Sequence, residues 1–141
     1  MSAQLNMSKT DKGLVGNEVI EKNIEELKNS FTDENLAVLL TTIRQRIQEK
    51  GQFVVGVSVP DNSGMNLTLQ TVKYNGTKWF IAFTSFDEEL KGKSGVMSGF
   101  LADIDQILDI TFKNNEIEGI ILNPYGNMIS LNKAVLTVIK G

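Results

Sequence analysis

The order of apolar and polar positions along this chain sets helical stretches near both ends and strand-like stretches between them. From Asn17 to Ser30, Val19, Ile20, Ile24 and Leu27 recur at helical spacing among glutamates and lysines. That pattern predicts an amphipathic helix with Asn17 as its N-cap. A second helix is marked more sharply. Thr32 is placed to cap it, Asp33 and Glu34 stand against the positive end of its dipole, and Phe31 is placed to staple onto Leu36. Its inward stripe is Leu36, Leu39, Leu40, Ile43 and Ile47, and Gly51 is expected to end it.

The period then shortens. Phe53 to Val59 is rich in β-branched residues and stops at Pro60, before the turn residues Asp61 to Gly64. Leu67 to Tyr74 alternates, Asn75-Gly76 is a two-residue hairpin turn, and Lys78 to Thr84 returns. These three read as an antiparallel meander. In the third, Trp79, Ile81 and Phe83 share one face while Phe80 and Ala82 share the other. Two apolar faces predict a central strand covered on both sides.

Phe86 to Leu90 reads as one helical turn, followed by a loop over Lys91 to Gly95. A helix is predicted from Asp103 to Lys113, with Asp103 as cap, Gln106 three residues on, and Ile104, Ile107, Leu108 and Phe112 facing inward. Ile117 to Leu122 has strand length, Asn123-Pro124-Tyr125-Gly126 is a turn, Met128 to Leu131 is extended, and Asn132 to Ile139 closes the chain as a helix. The expectation is an α+β fold: an antiparallel sheet of about five strands packed against N-terminal and C-terminal helices. Residues 1–16 read as a flexible arm and 17–141 as a single domain, a size within the usual range of about 100–200 residues.

Composition narrows the chemistry. The chain has neither cysteine nor histidine, so a disulfide framework, a thiolate nucleophile and a Ser-His-Asp arrangement are all excluded. Seventeen acidic residues against fourteen basic ones give a net charge of −3. No lysine or arginine run exceeds a short pair, which excludes nucleic acid as the expected partner and suits a basic protein partner. The N-terminal segment has no apolar h-region, and no stretch approaches the ~18 apolar residues of a membrane span. A cytoplasmic location with no membrane contact is therefore expected, and the sequence sets no oligomeric state.

Two acidic groupings are candidates for chemistry, Asp87-Glu88-Glu89 and the series Asp103, Asp105, Asp109. The second reads as capping and solvated helix positions, the calcium-loop spacing is missing, and no metal or cofactor is expected. Gly92-Lys93-Ser94 fails the phosphate-loop pattern because Asp87 stands where its first glycine belongs. No catalytic residue is assigned. The expected function is a non-catalytic protein-binding or regulatory module, with Phe86, Asp87, Glu88, Glu89, Met97 and Phe100 as the partner surface. The alternatives are an immunity protein that neutralises a toxin and a small-ligand sensor.

Gly119-Ile120-Ile121-Leu122-Asn123-Pro124-Tyr125-Gly126, followed by Ile129-Ser130-Leu131, resembles the glycine, hydrophobic strand, Asn-Pro-aromatic-Gly pattern of the SseB N-terminal domain family. The upstream step Phe83-Thr84-Ser85-Phe86, the acidic turn and the helix follow the same order, so the resemblance covers about Gln52 to Ile139. It departs in lacking a tryptophan after the acidic turn, and the second domain of some longer members has no counterpart. The resemblance implies an α+β fold around an antiparallel sheet and no catalytic residue. Asn123, Pro124 and Gly126 match its motif, and their expected role is to build the turn.

Overall fold

The computed structural model describes residues 12–58, 68–92 and 99–141. The turn at 61–64, Met97 and the loop residues 93–95 lie outside them, as does most of the expected arm. After a 3-10 turn at Lys12–Leu14, the order is α1 (Asn17–Asn29), α2 (Asp33–Gln48), β1 (Gln52–Ser58), β2 (Thr68–Leu69), β3 (Thr71–Tyr74), β4 (Thr77–Ala82), α3 (Phe86–Leu90), β5 (Gly99–Asp103), α4 (Ile104–Lys113), β6 (Ile117–Leu122), β7 (Ile129–Asn132) and α5 (Lys133–Lys140). The class is α+β. Residues 12–16 are tied into it, since Leu14 packs on buried apolar residues and the Gly13 carbonyl accepts from Arg46 Nη2.

Seven strands lie among the described residues, in the orders β2-β1-β5 and β3-β4-β6-β7. The expected Leu67–Tyr74 strand is broken at Gln70. Its first part pairs with β1 and its second with β4, and Gln70 bonds both: its N–H donates to the Gly56 carbonyl and its own carbonyl accepts from Ile81. β5, antiparallel to β1, adds the strand that the sequence reading lacks. The antiparallel expectation is also corrected. β4 and β6 run parallel, with α4 in the connection between them, as a parallel pair requires a crossover.

The two faces of β4 do what their alternation implies. Phe80 and Ala82 join the main core with Ile20, Ile24 and Leu27 of α1, Leu39 and Ile43 of α2, and inward residues of α4, β6 and α5. Trp79, Ile81 and Phe83 join Val54 and Ile121 in a second cluster on the other side, covered by Leu14, Phe86, Leu101 and Met128.

Local signals met different fates. Thr32 caps α2 by accepting from the Asn35 N–H, but Phe31 is 74% exposed, so the expected staple onto Leu36 is not made. The end of α2 takes Lys50 rather than Gly51 in left-handed backbone (φ 65°). Lys50 N–H reaches the Ile47 carbonyl and Gly51 N–H the Arg46 carbonyl, which satisfies two of the last orphan acceptors. Asp103 precedes α4 without capping it and instead accepts from Gln52 Nε2 at 2.9 Å. Asn17 is the first residue of α1 rather than its cap; Gly16 stands before it, and the Asn17 amide is committed elsewhere.

Candidate functional site at the carboxyl ends of two parallel strands

β4 and β6 end side by side, each running into one of the two segments that carry the family resemblance. The chain after β4 is Phe83-Thr84-Ser85-Phe86, and after β6 it is Asn123-Pro124-Tyr125-Gly126. A buried amide and hydroxyl join them. Thr84 N–H donates to Asn123 Oδ1 at 2.9 Å, and Asn123 Nδ2 donates to Thr84 Oγ1 at 3.1 Å. Asn123 N–H also closes on the Ala82 carbonyl at 2.9 Å, with the residue held in left-handed backbone at φ 55°. Asparagine tolerates that conformation better than most residues. Asn123 therefore sits at the turn, where its carbonyl accepts from the Gly126 N–H, and also clamps the neighbouring strand.

The same knot draws in the helices. The Thr84 hydroxyl donates to Glu21 Oε2 on α1, and the Thr84 carbonyl accepts from Asn17 Nδ2 at 3.0 Å. Asn17 Nδ2 also donates to the Gln52 carbonyl at 2.8 Å, while its Oδ1 accepts from Arg46 Nε at 2.9 Å. Arg46 completes its fork with the Gly13 carbonyl and Glu49 Oε1. Asn17, Arg46, Thr84 and Asn123 are all buried. Asn17 uses both amide protons and its acceptor, the condition under which a buried polar group is tolerated. Five elements are thus pinned at one point: α1, α2, β1, and the ends of β4 and β6.

Around this point a cleft of about 520 Å³ opens between α1, α3 and the turn after β6, lined by Glu18, Glu21, Lys22, Glu25, Glu88, Lys91, Asn123 and Asn127. Open sheets place ligand crevices at the carboxyl ends of parallel strands. Four carboxylates face two ammonium groups there, so the surface is acidic on balance. Glu88 Oε2 accepts from Lys91 Nζ at 2.7 Å. That hydrogen bond holds the Lys91 ammonium above its usual range, and the fields of Glu88, Glu21 and Asp87 add to it. The turn packs closely on α3, where a Cβ on Gly126 would lie 2.5 Å from Glu88 Oε1 and 3.0 Å from Lys91 Nζ, the mobile ends of both side chains.

The residues expected at a partner surface are dispersed. Asp87 is exposed, Glu88 lines the cleft, and Glu89 is buried against Gly99 of β5. Phe86 is half-buried in the second cluster, Phe100 is exposed on β5 opposite Val55, and Met97 lies outside the described residues. Only Glu88 is brought to the Asn123 turn. The cleft residues of α1 were missed, although Glu18, Glu21, Lys22 and Glu25 follow a helical stripe that was open to reading. Of the second acidic grouping, Asp105 and Asp109 both accept from Lys140 and Asp103 from Gln52, which gives all three structural partners. No group of three or more metal-ligating side chains occurs among the described residues. Likewise no helix among them is long and apolar enough to cross a membrane.

Comparison with protein-family models, with curated proteins and with solved structures finds no match to this chain.

Proposed function

We propose that this chain is a non-catalytic protein-binding module, regulatory in role and working in the cytoplasm, that receives a basic stretch of a protein partner in the cleft between α1 and α3. The observation that carries the reading is the excess of carboxylates on the cleft walls, Glu18, Glu21, Glu25 and Glu88 against Lys22 and Lys91. Such a surface steers a basic partner and rejects acidic ones. Tyr125 and Leu90, 45% and 68% exposed on the turn and on α3, add apolar surface of the kind that anchors interfaces. The resemblance to the SseB N-terminal domain family belongs to the same reading, supported by the meeting of its two motif segments at Thr84 and Asn123.

The immunity-protein reading is a sharper form, favoured by the same acidic balance: the cleft would cover the basic active site of a toxin. A small-ligand sensor is less well supported. The cleft's volume falls within the usual range for ligand sites, but its walls are polar, whereas such sites are mostly apolar.

Glu18 and Glu25 are exposed and take no part in the buried knot, and the one bond lost, from the Gly16 N–H to Glu18 Oε1 at 3.0 Å, lies at the exposed start of α1, so their reversal is expected to leave the fold intact, as a melting curve checks. In parallel affinity captures from native lysate, the unaltered chain is expected to retain a stoichiometric partner that Glu18→Lys/Glu25→Lys loses by at least about tenfold, or 1.4 kcal/mol. Equal retention by both chains would reject the cleft as the contact.

A further inference from the structure

Helix α3 is five residues long and carries two acids turned inward. Glu89 is 5% exposed, and a Cβ on Gly99 would lie 2.5 and 2.6 Å from its two carboxylate oxygens. One residue earlier, Glu88 Oε1 is buried against Gly126 with no hydrogen-bond partner among the described residues. Burial works against docking in both cases, because a carboxylate loses water on the way in, and Glu88 Oε1 gains no hydrogen bond among the described residues in return. Little opposes it. Ser85 caps the helix through the Glu88 N–H at 3.2 Å, Phe86 packs into the second cluster, and Gly92 lies under the Tyr125 ring. A single helical turn has no stability of its own.

We propose that α3 is an acid-tightened latch, a locally opening segment that docks more firmly when Glu89 holds a proton and so sets one wall of the cleft in place. Among the described residues, the titratable groups around it are Asp87, Glu88 and Lys91 on α3, Glu18, Glu21, Lys22 and Glu25 across the cleft, and Tyr125 on the turn. Burial pushes the Glu89 carboxyl above the usual carboxylate range. In the open state it is solvated and returns to that range. Below the range both states are protonated and docking is firmest. As pH rises from the ordinary value to the raised one, the open state gives up its proton first and docking weakens; above the raised value nothing further changes. The latch does not depend on what the cleft binds.

Native-state hydrogen exchange on the whole chain tests it. The Glu89, Lys91 and Gly92 amides, which bond the Ser85, Glu88 and Glu89 carbonyls, report opening of α3. Core amides of β6 serve as the reference for global unfolding. After correction for intrinsic rates, protection of the α3 amides relative to β6 is expected to fall as pH rises from the ordinary carboxylate range to neutrality, because burial raises the Glu89 carboxyl in the docked state only. Glu89→Gln should flatten the profile by raising protection at neutral pH. Trp79 is the chain's single tryptophan and shares a cluster with Phe86, so its fluorescence gives a second pH profile without any substitution. A flat unaltered profile, or a Glu89→Gln profile as steep as the unaltered one, overturns the proposal. Should Glu89→Gln fail to fold, the unaltered exchange and Trp79 profiles decide it by themselves.

Discussion

Replacing Arg46 by methionine is expected to lower the unfolding free energy by about 3 kcal/mol, and the melting temperature by roughly 10 °C. Methionine keeps much of the stem volume and removes the fork, so the loss reads hydrogen bonding rather than packing. Two acceptors are left without a donor, the buried Asn17 Oδ1 and the half-buried Gly13 carbonyl. The Glu49 contact adds little, because that carboxylate is 62% exposed and an exposed pair is worth about 0–1 kcal/mol. Asn17→Ala should cost a similar amount, since it strips donors from the Gln52 and Thr84 carbonyls together. The double variant should cost clearly less than the sum, because the two side chains share one bond. Urea titrations of the three variants measure this, and simple additivity would contradict the shared knot.

Asn123 is the second position where a large effect is expected, and three substitutions separate its roles. Asn123→Ala removes the clamp on Thr84 and places a side chain with no local bond in left-handed backbone, for a loss of about 3–4 kcal/mol. Asn123→Gly removes the same clamp but relieves the backbone, so it should lose about 1 kcal/mol less. Asn123→Asp keeps an acceptor for the Thr84 N–H but sets a second carboxylate beside the hydroxyl that already donates to Glu21. Its deficit should be largest at neutral pH and shrink on acidification as the new carboxylate is neutralised. Thermal unfolding of the three at pH 7 and pH 5 distinguishes them, and equal losses for alanine and glycine would remove backbone strain from the explanation.

These two positions show where sequence reading runs out. Asn17 stands before an apolar stripe, the place of an N-cap, and local pattern offers no other role for it. Its true partners are carbonyls 35 and 67 residues away, brought close only by the fold. The parallel pairing of β4 with β6 is hidden for the same reason: period-2 alternation shows that a strand is buried on two faces but not which strand lies beside it. β5 was missed because Gly99 and Asp103 bracket a short stretch with no alternation. What was legible was local chemistry. Thr32 caps α2, Asn75-Gly76 turns β3 into β4 with both residues at positive φ, and β6 spans Ile117–Leu122 as its apolar run implies. The turn after β6 was legible as a turn, whereas its hold on Thr84 was not.

Gly119 shows how a residue can be legible without its reason. The sequence reading takes it as the opening of the strand motif. In the fold a Cβ there would come within 2.1 Å of the Leu131 carbonyl oxygen, so glycine is what lets β7 lie against β6.

The most direct test of the cleft as the contact surface is photo-crosslinking from two positions in otherwise unaltered chains. One carries a photoreactive residue in place of Lys22 on the cleft wall, the other in place of Ser130 on the edge strand β7. Irradiation in native lysate is expected to give a single discrete adduct from position 22 and none from position 130, with the adduct mapping to a lysine- or arginine-rich stretch of the partner. An adduct from position 130 alone, or one from position 22 that maps to an acidic stretch, would contradict the cleft as a receptor for a basic partner.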